Sequence, residues 1–261
     1  MEQASQVEQL LSQAIQAFAS DPYVYEIYLF GSYAKKTHDR YSDVDLHIVS
    51  QNFDATMSQL WHYLEEIGPV LMAFPLVARV GYTAFMILFE NFPLYTKLDI
   101  NIADRTENTS FAEQACVYRR EALPPHVAPT FLPTMLEEPL NTLYGYHLGA
   151  IRYMKYRKRG KHFSAYKFYK AQLDRTLLNK YQEICHDFSV ERLGLLEYQL
   201  LDTYEESIQL KRYLYPENER AMDTFYIELL QTMTHELQYA LNTKHEKALT
   251  TIIDFLKQEA L

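Results

Sequence analysis

Residues 28–50 read YLFGSYAKKTHDRYSDVDLHIVS, and this stretch decides the fold. An apolar-polar run ends at Phe30, Gly31-Ser32 makes a turn, and strand patterning resumes at Val44. The spacing predicts a strand, a short helix, a loop and a second strand. Successive strand residues point to opposite faces, so Asp43 and Asp45 project together while Val44, Leu46 and Ile48 face a core. Two neighbouring carboxylates repel unless a cation lies between them. Mg²⁺ is a hard ion that takes carboxylate oxygens together with substrate phosphates. Gly31-Ser32 stands where a helix begins, and backbone N–H groups there can hold a phosphate. A phosphate cradle facing a carboxylate pair predicts phosphoryl or nucleotidyl transfer.

Outward from this stretch, Val7, Leu10, Leu11, Ile15 and Phe18 recur at helical spacing over residues 3–19, and Asp21-Pro22 ends that helix. Strands are expected at 24–30 and 44–49. A helix is expected over 53–67, with Met57, Leu60, Trp61 and Leu64 on one side and Gly68-Pro69 as its stop. Further strand-like runs lie near 70–77, 82–90 and 94–102. In LYTKLDINIAD (94–104), Leu98, Ile100 and Ile102 alternate against Lys97, Asp99 and Asn101, so Asp99 projects away from its apolar neighbours as Asp43 and Asp45 do. Residues 69–89 are apolar over nearly the length of a membrane span, but Pro75, Arg79 and Gly81 interrupt the run. Two buried strands joined by a turn fit it better. From about 105 the composition changes, and Pro124, Pro125, Pro129 and Pro133 mark an irregular connection. Helices are expected at 138–159, 162–186, 190–212, 217–242 and 245–260. The fold class is therefore α+β: an N-terminal mixed-sheet domain over residues 1–120, then an all-α helical bundle over 121–261.

The 261-residue chain carries a net charge of −9, which argues against a general nucleic-acid binder. The charge is uneven. Residues 152–180 hold ten Lys/Arg and one acid, Asp174, so that segment is +9 and the rest is −18. A local basic strip suits a polyanionic small molecule such as a nucleoside triphosphate, and an acidic remainder suits a cationic second substrate. For any single lysine here a solvated helix face is the commoner explanation. Cys116 and Cys185 are too few for a disulfide framework or a thiolate metal site. The opening MEQASQVEQLLSQ has no signal-peptide pattern, and a cytoplasmic location is expected. Dinucleotide and P-loop glycine motifs are missing, and His235-Glu236 lacks the second His of a zinc protease. His147, among Tyr and Leu, reads as a core residue.

Three carboxylates on neighbouring strands can hold two divalent ions about 3.5–4 Å apart, the arrangement that stabilises in-line displacement at phosphorus. Asp43 and Asp45 are expected to bridge the metals. Asp99 is expected to ligate the second metal and to take the proton of an acceptor hydroxyl. Ser32 and the amides after Gly31 would hold the phosphates, and Lys35 or Lys36 would oppose charge developing on pyrophosphate. Lys167 and Lys170 share a helix face and are further candidates for the triphosphate or base.

Gly31-Ser32, Ala34-Lys35 and Ser42-Asp43-Val44-Asp45 resemble the signature of the DNA polymerase β-like nucleotidyltransferase superfamily, and Asp99 falls where that superfamily has its third carboxylate. The order of domains and the helical segment 144–182 resemble the antibiotic-modifying branch, which includes lincosamide and aminoglycoside nucleotidyltransferases. The resemblance implies transfer of a nucleoside monophosphate, usually AMP from ATP with Mg²⁺, to a hydroxyl of a small molecule. It also implies that the helical domain forms the far wall of the cleft. Many members have Arg-Gly after the alanine. This chain has Lys35-Lys36, which keeps the charge but loses the planar fork. The family's acceptor-binding residues have no recognisable motif here. The expected acceptor is hydroxylated and cationic, an aminoglycoside or lincosamide. The same chemistry on a protein or RNA, as in toxin–antitoxin pairs, and an inactive nucleotide-binding module are the alternatives. Neither a heptad nor an apolar patch establishes a homodimer.

Overall fold

Six strands pair into one mixed sheet. They are β1 (Val24–Leu29), β2 (Val44–Ser50), β3 (Val70–Arg79), β4 (Tyr82–Phe89), β5 (Leu98–Asp104) and β6 (Ala115–Arg119), in the order β3-β4-β5-β2-β1-β6. This computed structural model describes residues 2–107, 113–187, 201–202 and 205–260. β2 and β5 run parallel, and the remaining pairs are antiparallel. Four helices accompany the strands: α1 (Glu2–Ser20), α2 (Gly31–Ala34), α3 (Phe53–Ser58) and α4 (Leu60–Ile67). Leu10 and Phe18 of α1 and Leu64 and Ile67 of α4 join Ile27, Leu46, Ile48, Leu98, Ile100 and Ile102 in one buried core. The sheet thus has a helix-covered face, and the carboxylate-bearing residues alternate to the other.

Several elements differ from expectation for identifiable reasons. The helix over 53–67 breaks at Gln59, which leaves helical geometry at φ −103°, ψ 2°. The break turns α4 so that Leu60, Tyr63, Leu64 and Ile67 are buried, and Trp61 is left 52% exposed. Tyr63 meets Phe18 with ring centroids 5.6 Å apart. β5 begins at Leu98 rather than at 94, because a turn closed by Thr96 N–H donating to Pro93 O (2.7 Å) precedes it. β6 was not expected. It is a mostly exposed edge strand without apolar alternation, held on β1 partly by an Arg119–Glu26 ion pair at 2.7 Å. Residues 69–89 form β3, a tight turn and β4, and no helix among the described residues is long and apolar enough to cross a membrane.

The chain forms two compact units, Met1–Asn141 and Thr142–Leu261. The proline-rich connection beyond residue 120 belongs to the first. The Asp54 carboxylate accepts the N–H groups of Thr130 (2.9 Å) and Phe131 (3.1 Å), and Val127 N–H donates to Gln51 O at 2.9 Å. His126 Nε2 lies 3.0 Å from the buried Asp104 carboxylate.

In the helical part, α5 (Leu140–Lys158), α6 (His162–Asp187), α7 (Glu219–Glu236) and α8 (Thr243–Glu259) are joined by 3₁₀ segments at Glu205–Tyr213 and Gln238–Ala240. Much of the helix expected at 190–212 lies outside the described residues, and the part from 205 is 3₁₀. The helix expected to run to 242 stops at Glu236. Tyr153, Tyr169 and Tyr226 are fully buried, with Tyr153 stacked on Tyr226 at 4.5 Å. The buried Asp223 accepts from the Tyr153 hydroxyl and from Arg157 Nε (2.9 Å), and Arg157 also reaches Glu219 at 2.6 Å. The Asp223 hydrogen bond holds the Arg157 guanidinium above its usual pKa. His147 is a core residue: its Nδ1 lies 2.7 Å from Leu143 O and its Nε2 3.3 Å from Thr234 Oγ1. Burial lowers its pKa to about 4.

Candidate active site

The site is assembled at the junction of β1, α2 and β2. Phe30 N–H donates to Asp45 O at 3.1 Å, one step beyond the last β1–β2 pair, and the chain must then leave the sheet. It does so at Gly31, whose φ of +70° is left-handed. A Cβ there would overlap the Asp45 carboxylate and stand 2.9 Å from its Cγ, so conformation and space both demand glycine. Lys35 N–H donates to Gly31 O (3.2 Å) and Thr37 N–H to Ser32 O (3.0 Å), which winds the short α2 turn. Lys36 adopts φ 57° as the turn ends.

The loop into β2 is tied by its own side chains. The Asp39 carboxylate accepts Tyr41 N–H and the Ser42 hydroxyl, both at 3.0 Å, and Asp39 N–H donates to Ser42 Oγ at 2.9 Å. This knot delivers Asp43 onto the start of β2. Sequence reading assigned Asp39 no role and took Ser42 only as part of the motif.

Parallel pairing then sets Asp45 of β2 opposite Asp99 of β5, and Val44 N–H donates to Lys97 O at 3.0 Å. Lys97 is 1% exposed. Its Nζ lies 3.1 Å from Asp43 Oδ2 and also contacts Asp99 Oδ2. One buried ammonium therefore joins two of the three expected carboxylates. The side chains of Asp43 and Asp99 are 23% and 21% exposed, so they meet solvent while the lysine is sealed behind them. The K-x-D spacing put Lys97 on the Asp99 face, but nothing in the pattern signalled that the lysine would be buried.

The same sheet face continues past Asp45 to His47, which pairs in register with Tyr28. Burial lowers the His47 pKa to about 4. A cavity of about 360 Å³ here is lined by Tyr25, Glu26, Tyr28, His47, Gln51 and Arg105, among others. Glu26 is largely buried and accepts from Tyr28 Oη at 2.8 Å.

The candidate lysines Lys35, Lys36, Lys167 and Lys170 are all exposed. Lys35 Nζ is 3.2 Å from Glu113 Oε2, with both side chains largely exposed. Lys167 and Lys170 stand on the exposed side of α6, and Lys170 pairs with Asp174. The basic strip is partly neutralised within its own unit, with Arg157 on Asp223 and Glu219 and Lys158 on Glu259 at 3.0 Å.

Among the described residues, no group of three or more His, Cys, Asp or Glu is arranged as a ready metal cluster. Asp43 and Asp99 meet at the Lys97 ammonium instead. The donor set fits a hard divalent ion by its chemistry: part-exposed carboxylates on and just before paired strands, two of them already gripping a cation.

Residues 11–101 match the family model of the nucleotidyltransferase domain, a span that contains Gly31, Asp43, Asp45 and Asp99. The N-terminal unit thus carries a nucleotidyltransferase-domain match that includes every carboxylate of the site. Among solved structures, a STING-associated CdnE c-di-GMP synthase from Capnocytophaga granulosa matches at 14% identity with a TM-score of 0.27, covering 99% of this chain and 81% of that one. A likeness that loose fixes neither substrate nor activity. No curated protein matches the chain.

Proposed function

We propose that this chain is a Mg²⁺-dependent nucleotidyltransferase that moves a nucleoside monophosphate, AMP from ATP, to a hydroxyl of a small cationic molecule of the aminoglycoside or lincosamide kind. The observation that carries this reading is the placement of Asp45 opposite Asp99 on paired parallel strands, with Asp43 tied to Asp99 through Lys97.

In this reading Asp43, Asp45 and Asp99 would hold two Mg²⁺ ions. When bound, such ions neutralise the triphosphate and lower the pKa of the acceptor hydroxyl. Ser32 and the amides after Gly31 grip the phosphates. Lys36, and Lys35 after exchanging Glu113 for phosphate, oppose charge on the leaving group. The acceptor oxygen attacks the α-phosphorus and the bond from that phosphorus to the bridging oxygen breaks. Pyrophosphate leaves with the bond pair, and the hydroxyl proton passes to Asp99. A cytoplasmic location goes with ATP as donor in this reading.

The test is pyrophosphate release from each of four nucleoside triphosphates with Mg²⁺ against a panel of hydroxylated antibiotics. A triphosphate-only lane reads a nucleotide hydroxyl as acceptor, and a lysate labelled with radioactive nucleotide reads a macromolecule. Acceptor-dependent release is expected, and Asp43→Asn should lower it by roughly 10²–10³-fold, the scale of losing one charge-stabilising group. Undiminished turnover in that variant, with the fold intact, would sink the mechanism.

A further inference from the structure

We propose that Lys97 is a built-in counter-cation that holds Asp43 and Asp99 in the arrangement a divalent ion uses. The inference rests on the metal-binding reading of the three carboxylates above. Like charges placed opposite each other on paired strands destabilise the pairing, and Asp45 faces Asp99 directly in the β2–β5 ladder. Asp43, two residues earlier on β2's leading edge, adds a third negative charge to the same side. The fold answers with a cation of its own. Lys97 lies two residues before Asp99, so strand alternation sends both side chains to one face. Its carbonyl is fixed by Val44 N–H, which ties its backbone to the strand that follows Asp43.

The distribution of exposure separates this role from that of an ordinary structural ion pair. Lys97 is sealed, with 2% of its side chain exposed, whereas the two acids bonded to it are each exposed by about a fifth. A pair serving stability alone has no need to leave both acids facing solvent. Here the ammonium sits behind, and each acid keeps part of its side chain at the solvent edge, with Asp99 Oδ1 itself buried. Lys97 is thus a positioning residue: it acts through Asp43 and Asp99 and touches neither nucleotide nor acceptor.

The experiment uses the full-length protein and Mn²⁺ as the probe. Thermal unfolding of wild type and Lys97→Met is followed in EDTA and in saturating Mn²⁺, and Mn²⁺ binding is titrated by EPR. Lys97→Met should lower the melting temperature in EDTA, and Mn²⁺ should recover at least half of that loss by taking over the missing positive charge. The Mn²⁺-induced rise in melting temperature should be larger in the variant than in wild type. An equal loss with and without Mn²⁺, or no loss in EDTA, overturns the proposal. If Lys97→Met does not fold in EDTA, the double variant Lys97→Met/Asp99→Asn decides. Recovered folding supports the repulsion argument, and continued misfolding overturns it. Wild-type protein that binds no Mn²⁺ removes the metal reading of the site and this inference with it. Mn²⁺ binding by wild type with no Mn²⁺-dependent recovery in Lys97→Met removes the Lys97 role alone.

Discussion

Gly31→Ala isolates the geometry of the site without touching any functional group. The added methyl would overlap the Asp45 carboxylate and come within 2.9 Å of its Cγ, where carbon atoms rest at about 3.5–4.0 Å. Asp45 must therefore retreat by roughly 1 Å, or the turn must open by as much. The backbone adds its own cost, because φ is +70° and a left-handed conformation disfavours an L side chain by about 1–2 kcal/mol. With the overlap included, a loss of about 1–3 kcal/mol is expected. At about 2–4 °C per kcal/mol this is a fall in melting temperature of about 2–12 °C. Catalysis should suffer more than stability, since a 1 Å misplacement of a reacting group costs about 100-fold. The assay is kcat/KM from continuous pyrophosphate release, measured well below the melting temperature of the variant and paired with its unfolding curve. A Gly31→Ala enzyme as active as wild type would refute the placement of Asp45 at the reacting centre. A variant that folds normally and loses activity in proportion to the displacement bears it out.

Two further outcomes concern the helical unit. Asp223→Ala removes the acceptor shared by Tyr153 and Arg157 in a largely buried network, so a loss of about 3–5 kcal/mol is expected by urea denaturation; a loss under about 1 kcal/mol would mean that Glu219 alone satisfies Arg157. His147 carries a pKa lowered to about 4 against 6.5 in the unfolded chain, so the unfolded state binds the extra proton between these values. Its contribution is fully present above pH 6.5 and is lost as pH falls toward 4, at most about 3 kcal/mol in all. His147→Gln should reduce the pH slope over that window, with the buried His47 supplying the remainder, and an unchanged slope would exclude His147 as a source.

Period-two alternation made β2 and β5 legible because the core side chains Val44 and Leu46, or Leu98 and Ile100, contrast with the acid between them, Asp45 or Asp99. β6 was not legible, because an edge strand exposed on both faces has no contrast to display. The break at Gln59 escaped notice because a single residue leaving helical geometry disturbs no composition, yet it decides that Tyr63 and not Trp61 reaches the core. The segment beyond 120 read as a linker from its prolines, while its attachment depends on Asp54, Gln51 and Asp104, distant in sequence. The carboxylates of the site were visible one by one. Their register, Asp45 against Asp99, and the burial of Lys97 were not, since both follow from how the neighbouring strands pair. Lysine as a residue type reads as solvated until its partners are placed.

The β2–β5 ladder makes the core a ruler for the chemistry. The alignment that sets Leu46 against Ile100 and Ile48 against Ile102 is the one that sets Asp45 against Asp99. A slip of one residue would turn every side chain of the strand to the opposite face, sending aspartates into oil and leucines into water. Drift in the spacing of the two aspartates therefore announces itself as instability. A lineage selected only to stay folded would keep Asp45 and Asp99 aligned.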